Sequence, residues 1–201
     1  MSLRVNKESG VVYNPVFLQI LEDIPGGVTI RTDRFKTTTQ EIKKGALLHE
    51  DLTSVGLYNV VKTAKVIHAV ASDATIMYVD PRNEFVVGEY IGGFGTVHAP
   101  TILTITPGLV SNAVLLKSKP LKGVASGAIL FEGAVAATNT PLYVASAVLR
   151  DTVEVRRDGV TTLLDNLFAG AVVRGTVDES EMPYFVTAAD KVALTARIRF
   201  A

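Results

Sequence analysis

Residues Tyr78–Gly93 read YVDPRNEFVVGEYIGG. A strand-like run ends at Val79. Asp80-Pro81-Arg82-Asn83 carries turn chemistry: proline presets its own φ, while Asp and Asn side chains bond nearby backbone. Phe85-Val86-Val87 then runs apolar into Gly88, Glu89 restores polarity, and Tyr90-Ile91 leads into Gly92-Gly93-Phe94-Gly95. The stretch reads as strand, turn, strand and glycine hinge. Phe85 and Val87 are expected on one packed face, and Asp80, Arg82 and Glu84 as turn and surface residues.

Upstream, Val60–Val70 (VVKTAKVIHAV) is the longest strand candidate. Lys62 and His68 interrupt its apolar parity, which predicts a strand partly covered on both faces or lying in a subunit contact. His68 is expected on this strand with its ring partly covered. Ser72-Asp73 makes a turn and Ala74–Val79 returns, so the two runs predict a hairpin. Downstream, Pro100 and Pro107 bracket a strand over 101–106, as suits prolines at strand ends. Further strands are expected over 113–116, 128–131, 142–145 and 171–177, with an exposed loop over 117–122.

Near the start, Val16–Leu21 fits either a strand or a short helix, and Pro25-Gly26-Gly27 ends it in a loop. Val28–Arg31 is a short β-branched strand. Val153-Glu154-Val155-Arg156 alternates as a half-exposed strand should. Asp158-Gly159 signals a hairpin if Val160–Leu164 returns as a strand; a helical turn through Leu163, Leu164, Leu167 and Phe168 is the rival. Thr187-Ala188-Ala189-Asp190 fits a capping box with Asp in place of the usual Glu. It predicts a helix from Ala188 to about Ala196 with Val192 and Ala196 on one side, and a last strand over 198–200.

The predicted fold is therefore mainly β: antiparallel β-domains, sandwich or barrel-like, with one or two short helices, the clearest near residues 188–196. Residues 1–14 read as an N-terminal arm. Residues 15–201 read as a single β-rich domain or as two closely packed β subdomains, since no Ser-rich tract, charge block or low-complexity linker divides them.

Composition narrows the function classes. The chain has 201 residues, 48% of them hydrophobic, with 20 basic and 20 acidic side chains that cancel. A neutral chain gives no reason to expect nucleic acid or an anionic membrane as partner. There are no cysteines, so disulfides, thiolate nucleophiles and Cys-ligated zinc drop out, and a reducing compartment fits. MSLRVNKESG lacks the apolar segment of a secretory signal, and no apolar run approaches the roughly 20 residues of a membrane span.

Residues that carry chemistry are scattered. His49, His68 and His98 each stand alone, without metal-ligand spacing. The Gly92–Gly95 cluster matches neither a dinucleotide fingerprint nor a P-loop. Asp178-Glu179-Ser180-Glu181 lacks the ligand spacing of a calcium loop and reads as a solvated loop before Pro183. Tyr58, Tyr90, Phe94 and Tyr184 could form a sugar platform, but core or interface packing is the expectation for each. No catalytic, cofactor or metal residue is assigned, and no enzyme activity or cofactor is expected.

Three segments carry a family resemblance. They are Val61–Val66 with Ile76–Val79; Phe85-Val86-Val87-Gly88-Glu89-Tyr90-Ile91; and Arg174–Tyr184 (RGTVDESEMPY) with Lys191 and Leu194 beyond it. Together they resemble tailed-phage head decoration and head fibre proteins, in particular those of phages and prophages of gut Bacteroides-like bacteria. The likeness covers about half the chain, which is longer than the small decoration proteins. It implies a structural virion protein: a homotrimer on the outside of the capsid, with the major capsid protein as partner, made in the bacterial cytoplasm. By the same resemblance Arg4, Val5, Asn6 and Lys7 would form a capsid-docking arm. The alternative is a glycan- or receptor-binding β-module of a phage fibre.

Overall fold

The computed structural model describes residues 15–201 apart from Thr37, Val97, Ala137, Arg156, 159–161, 164 and 165, with side chains left out at 157–158 and 162–163. The fold is mainly β, with one α-helix and one 3₁₀ turn among these residues. The arm residues Arg4, Val5, Asn6 and Lys7 lie outside the described residues.

The main sheet has eight strands. Its order is Phe17–Asp23, Ala171–Val177, Ala147–Leu149, Leu47–Glu50, Leu57–Val60, Val28–Ile30 and Leu167–Ala169, with Ile198–Phe200 also on Ala171–Val177. Its two ends are halves of one antiparallel ribbon. Phe17–Asp23 runs against Ala171–Val177, and Val28–Ile30 against Leu167–Ala169. Between the halves one strand bends at Pro25-Gly26-Gly27 and the other at Gly170. Gly26 and Gly27 have φ of 81° and 73°, a region glycine enters without a Cβ clash. Because the sheet starts and ends on the same ribbon, it curls into a half-barrel. Ile30, Ile42, Leu48 and Leu149 fill its inside at 0% exposure.

Among the described residues two pairings are parallel, Val28–Ile30 with Leu57–Val60 and Ala171–Val177 with Ile198–Phe200. The second follows from the helix, which turns the chain so that the last strand enters alongside Ala171–Val177. Its capping box is formed as expected, Thr187 and Asp190 each bonding the other's backbone N–H. The helix spans Ala188–Leu194 and buries Asp190 and Leu194, whereas Val192 and Ala196 face solvent. The helix thus ends two residues before the expected Ala196, and the Val192/Ala196 side is the exposed one. Asp190 is drawn inward because it also accepts the Ala145 N–H at 2.9 Å.

A second core is built only from residues between Ala64 and Leu130, among them Met77, Val79, Phe85, Ile91 and Val114. Two three-stranded sheets surround it: Ile76–Val79, Asn112–Leu116 and Ile102–Thr106; and Thr63–Lys65, Ile129–Gly133 and Tyr90–Gly92. The expected Val60–Val70 strand is divided. The chain leaves the main sheet at Val60 and joins Ile129–Gly133 at Thr63, with Lys62 at the crossing. His68 falls in an exposed bend beyond the strand, its ring edge-on to Tyr78 at 5.8 Å. The expected hairpin survives as a short contact, a Val66–Val79 bridge with Ile67 N donating to Tyr78 O at 2.9 Å.

Elsewhere the Val16–Leu21 run resolves as the Phe17–Asp23 strand, and Arg157–Asp158 pairs antiparallel with Thr162–Leu163, as the hairpin signal required. Gly159 and Val160 of that signal lie outside the described residues. Strand structure expected at 142–145 begins instead at Ala147. In the opening stretch, Phe85 is buried at 0% exposure but Val87 is 57% exposed, so the two do not share a face. Phe85–Val87 is not a strand; it runs into a turn closed by Glu89 N to Val86 O at 3.3 Å.

Candidate functional site

Lone charges interrupt otherwise apolar runs at Lys62, Glu89 and Glu132. The fold gathers them. Lys62 immediately precedes Thr63–Lys65, Glu89 immediately precedes Tyr90–Gly92, and Glu132 lies inside Ile129–Gly133, the strand between those two. One small sheet therefore presents all three to the seam against the main sheet. Arg34 meets them from the loop after Val28–Ile30.

Lys62 donates to a Glu89 carboxylate oxygen and to the Arg34 backbone carbonyl. The other Glu89 oxygen accepts the Val86 N–H at 2.8 Å. Arg34 donates to Glu132 Oε1 and, at 2.6 Å, to the Tyr143 hydroxyl, and its guanidinium lies 5.2 Å from the Tyr143 ring centre. Tyr143 in turn stacks on His49 at 5.0 Å. The Lys62 and Glu132 side chains are only 2% and 3% exposed. Burial, reinforced by the neighbouring Glu89 charge, pushes the Glu132 carboxyl up to about 7 against the pull of Lys62 and Arg34. Its Oε2 has no hydrogen-bond partner, and neither does the buried Asn59 amide.

Two carboxylates beside a lysine and an arginine could in principle serve acid–base chemistry. The cavity beside them, lined by Arg34, Asn59, Lys62 and Tyr143, measures only about 10 Å³, room for about one water. The geometry is that of a polar joint between two apolar cores. Around it, Glu84 accepts from Thr39 at 2.5 Å and from Tyr184 at 3.4 Å. Burial pushes the Tyr184 phenol upward, and the Glu84 charge adds to it. Glu84 therefore belongs to the seam and not to the surface, a correction to its expected place. Asp80 and Arg82 pair with each other across the turn at 3.1 Å, so the three do not converge in a cleft.

The other sequence candidates disperse. Tyr58, Phe94 and Tyr184 are buried and Tyr90 is half-buried, so these four make no exposed platform. His98 bonds Ser118 at 2.8 Å and His49 bonds the Val144 carbonyl at 2.7 Å. Among the described residues no three His, Asp or Glu side chains form a metal-binding group. Asp178-Glu179-Ser180-Glu181 forms a 3₁₀ turn capped by Asp178, with Lys191 bonded to Glu179 at 2.5 Å.

Two surface features remain. Phe17–Asp23 is the terminal strand of the main sheet and its middle is exposed on both faces, with Leu18, Ile20 and Leu21 at 53%, 45% and 58%. The second is the outer side of the Ile76–Val79, Asn112–Leu116 and Ile102–Thr106 sheet. There the rows Tyr78–Ala113–Thr106 and Ile76–Leu115–Thr104 carry no charge. The signal for the first was present in the sequence, since its apolar residues fall on both parities (FLQIL). Comparison with protein-family models, curated proteins and solved structures finds no match for this chain.

Proposed function

We propose that this chain is a structural virion protein that decorates the outside of a phage capsid as a homotrimer. The observation that carries the reading is the Phe17–Asp23 strand. Seven residues at the end of an eight-stranded sheet hold three large aliphatic side chains about half in water. Natural monomers blunt such edges with charge, bulges or cover, because an apolar edge recruits other chains. The strand has three register irregularities against Ala171–Val177, yet Leu18, Ile20 and Leu21 still face outward. An assembly that covers them removes the penalty. The capsid as the partner comes from the resemblance at 61–66 with 76–79, 85–91 and 174–184, which also implies a docking role for Arg4–Lys7; on that reading the Phe17–Asp23 strand is assigned to the capsid side.

In this reading the buried charges hold two β-units in fixed relation and take no part in chemistry. The test is co-sedimentation with purified capsid particles, with mass in solution measured by light scattering. Trimers that pellet with capsids, and an Ile20→Lys variant that stays trimeric but remains in the supernatant, are the expected results. A strict monomer at micromolar concentration, or a trimer with no capsid affinity, would overturn it.

A further inference from the structure

Asn59 lies in the Leu57–Val60 strand between Tyr58 and Val60, which pack into the half-barrel core. Alternation along the strand turns Asn59 the other way, into the seam. The residue is 3% exposed, and neither the nitrogen nor the oxygen of its amide has a hydrogen-bond partner. Buried amides are nearly always bonded, because desolvating one without a partner is costly.

The amide lines the cavity of about 10 Å³ together with Arg31, Arg34, Lys62, Tyr143 and two apolar residues. Three of these side chains are cations and none is an acid. Glu89 and Glu132 bond Lys62 and Arg34 but do not line the cavity. Lys62 places two of its three N–H groups on Glu89 and the Arg34 carbonyl, which leaves one to donate. The Tyr143 hydroxyl accepts from Arg34, so its own proton is free to donate as well. The wall is therefore rich in donors and poor in acceptors. A water needs acceptors for its hydrogens; an anion only accepts.

We infer that this cavity binds a single halide ion, chloride under physiological salt, held by the Asn59 amide N–H, the Tyr143 hydroxyl and the Lys62 ammonium. Size sets the class of ligand. The buried inner wall of Phe35, Asn59 and Lys62 leaves room for one atom, so phosphate, sulfate and carboxylate ligands do not fit. The Arg31 and Arg34 side chains are 35% and 31% exposed, and their movement gives the ion a way in from solvent. Charge agrees with size. Burial and the Glu89 charge raise the Glu132 carboxyl to about 7. While it holds its proton, Arg34, Lys62 and Glu89 carry one net positive charge, which a monovalent anion balances.

The test is thermal unfolding at fixed ionic strength as gluconate is exchanged for chloride. It compares the wild type with Asn59→Leu, which keeps the side-chain shape without the amide. The expected result is a rise in wild-type Tm of about 3–6 °C at chloride tenfold above its Kd, absent in the variant. If Asn59→Leu does not fold, Tyr143→Phe takes its place and the rise should shrink. Crystals soaked in bromide give a second reading, with an anomalous peak expected beside the Asn59 amide nitrogen. No chloride response in the wild type, an equal response in the folded variant, or ordered water without bromide in the cavity would each overturn the halide site. None of these outcomes bears on capsid binding, which the site does not require.

Discussion

Lys62 and Glu89 form an ion pair in the seam between the two β-cores, their side chains 2% and 11% exposed. Lys62 stands where the chain crosses from the main sheet to the Thr63–Lys65 strand, and Glu89 closes the turn that starts at Val86. The pair thus joins two cores that share no apolar cluster. Removing one partner strands the other charge away from water, which costs about 3–5 kcal/mol in buried pairs. We expect Lys62→Ala to lose stability of that order in urea unfolding. Replacing both residues at once, as Lys62→Met with Glu89→Leu, should cost far less. Equal losses from the single and double variants would contradict a buried pair.

Glu132 ties stability to pH. Burial raises its carboxyl from 4.5 to about 7 in the folded chain. Between those values the folded state binds the proton more tightly than the unfolded state. Its contribution is therefore most favourable below about pH 4.5 and declines as pH rises through 7, by at most about 3 kcal/mol. Glu132→Gln keeps the shape and cannot ionise. We expect the variant to flatten this decline between pH 5 and 8 in denaturant titrations, and to gain stability over the wild type most clearly at the upper end. A variant with the same slope as the wild type would place the titration elsewhere.

Asp190 bonds the Thr187 N–H and hydroxyl and the Ala145 N–H, all within buried surroundings. Thr187→Ala removes a helix cap, usually worth about 1 kcal/mol. Asp190→Ala also orphans the buried Ala145 N–H, adding about 1–3 kcal/mol. The order Asp190→Ala worse than Thr187→Ala is the expected outcome in thermal unfolding. Hydrogen exchange at Ala145 should accelerate in Asp190→Ala only.

Gly92 is not a hinge. It sits in a strand opposite Phe131, and a Cβ there would come within 2.3 Å of the Phe131 ring. Gly92→Ala must push that ring or the strand aside, a strain of about 1–3 kcal/mol. We expect Gly92→Ala with Phe131→Leu to recover part of the loss, since the smaller side chain vacates the space. No recovery in the double variant would show that the clash is not with the ring.

Much of the local structure was legible in the sequence alone. The bracketing prolines at 100 and 107, the Asp158-Gly159 signal and the Thr187–Asp190 box each act within a few residues, and local sterics and hydrogen bonding settle them. Fold class followed from these short-range signals. The lone charges at Lys62, Glu89 and Glu132 were visible as interruptions of apolar runs, but one chain position says nothing about what lies across from it.

Tertiary structure decided the rest. Which strand pairs with which, and that two pairs are parallel, depends on how distant segments bury their apolar faces together. The half-barrel arises because the 17–30 and 167–177 segments form one bent ribbon, a contact between opposite ends of the chain. Glu84 moved from the surface to the seam and Val87 from the core to the surface for the same reason. Phe85 fills the second core, and the turn that follows leaves Val87 no room beside it. The stretch at Tyr78–Gly93 thus states its turn chemistry in its own residues, while the inward or outward fate of each side chain is set by the two cores it lies between.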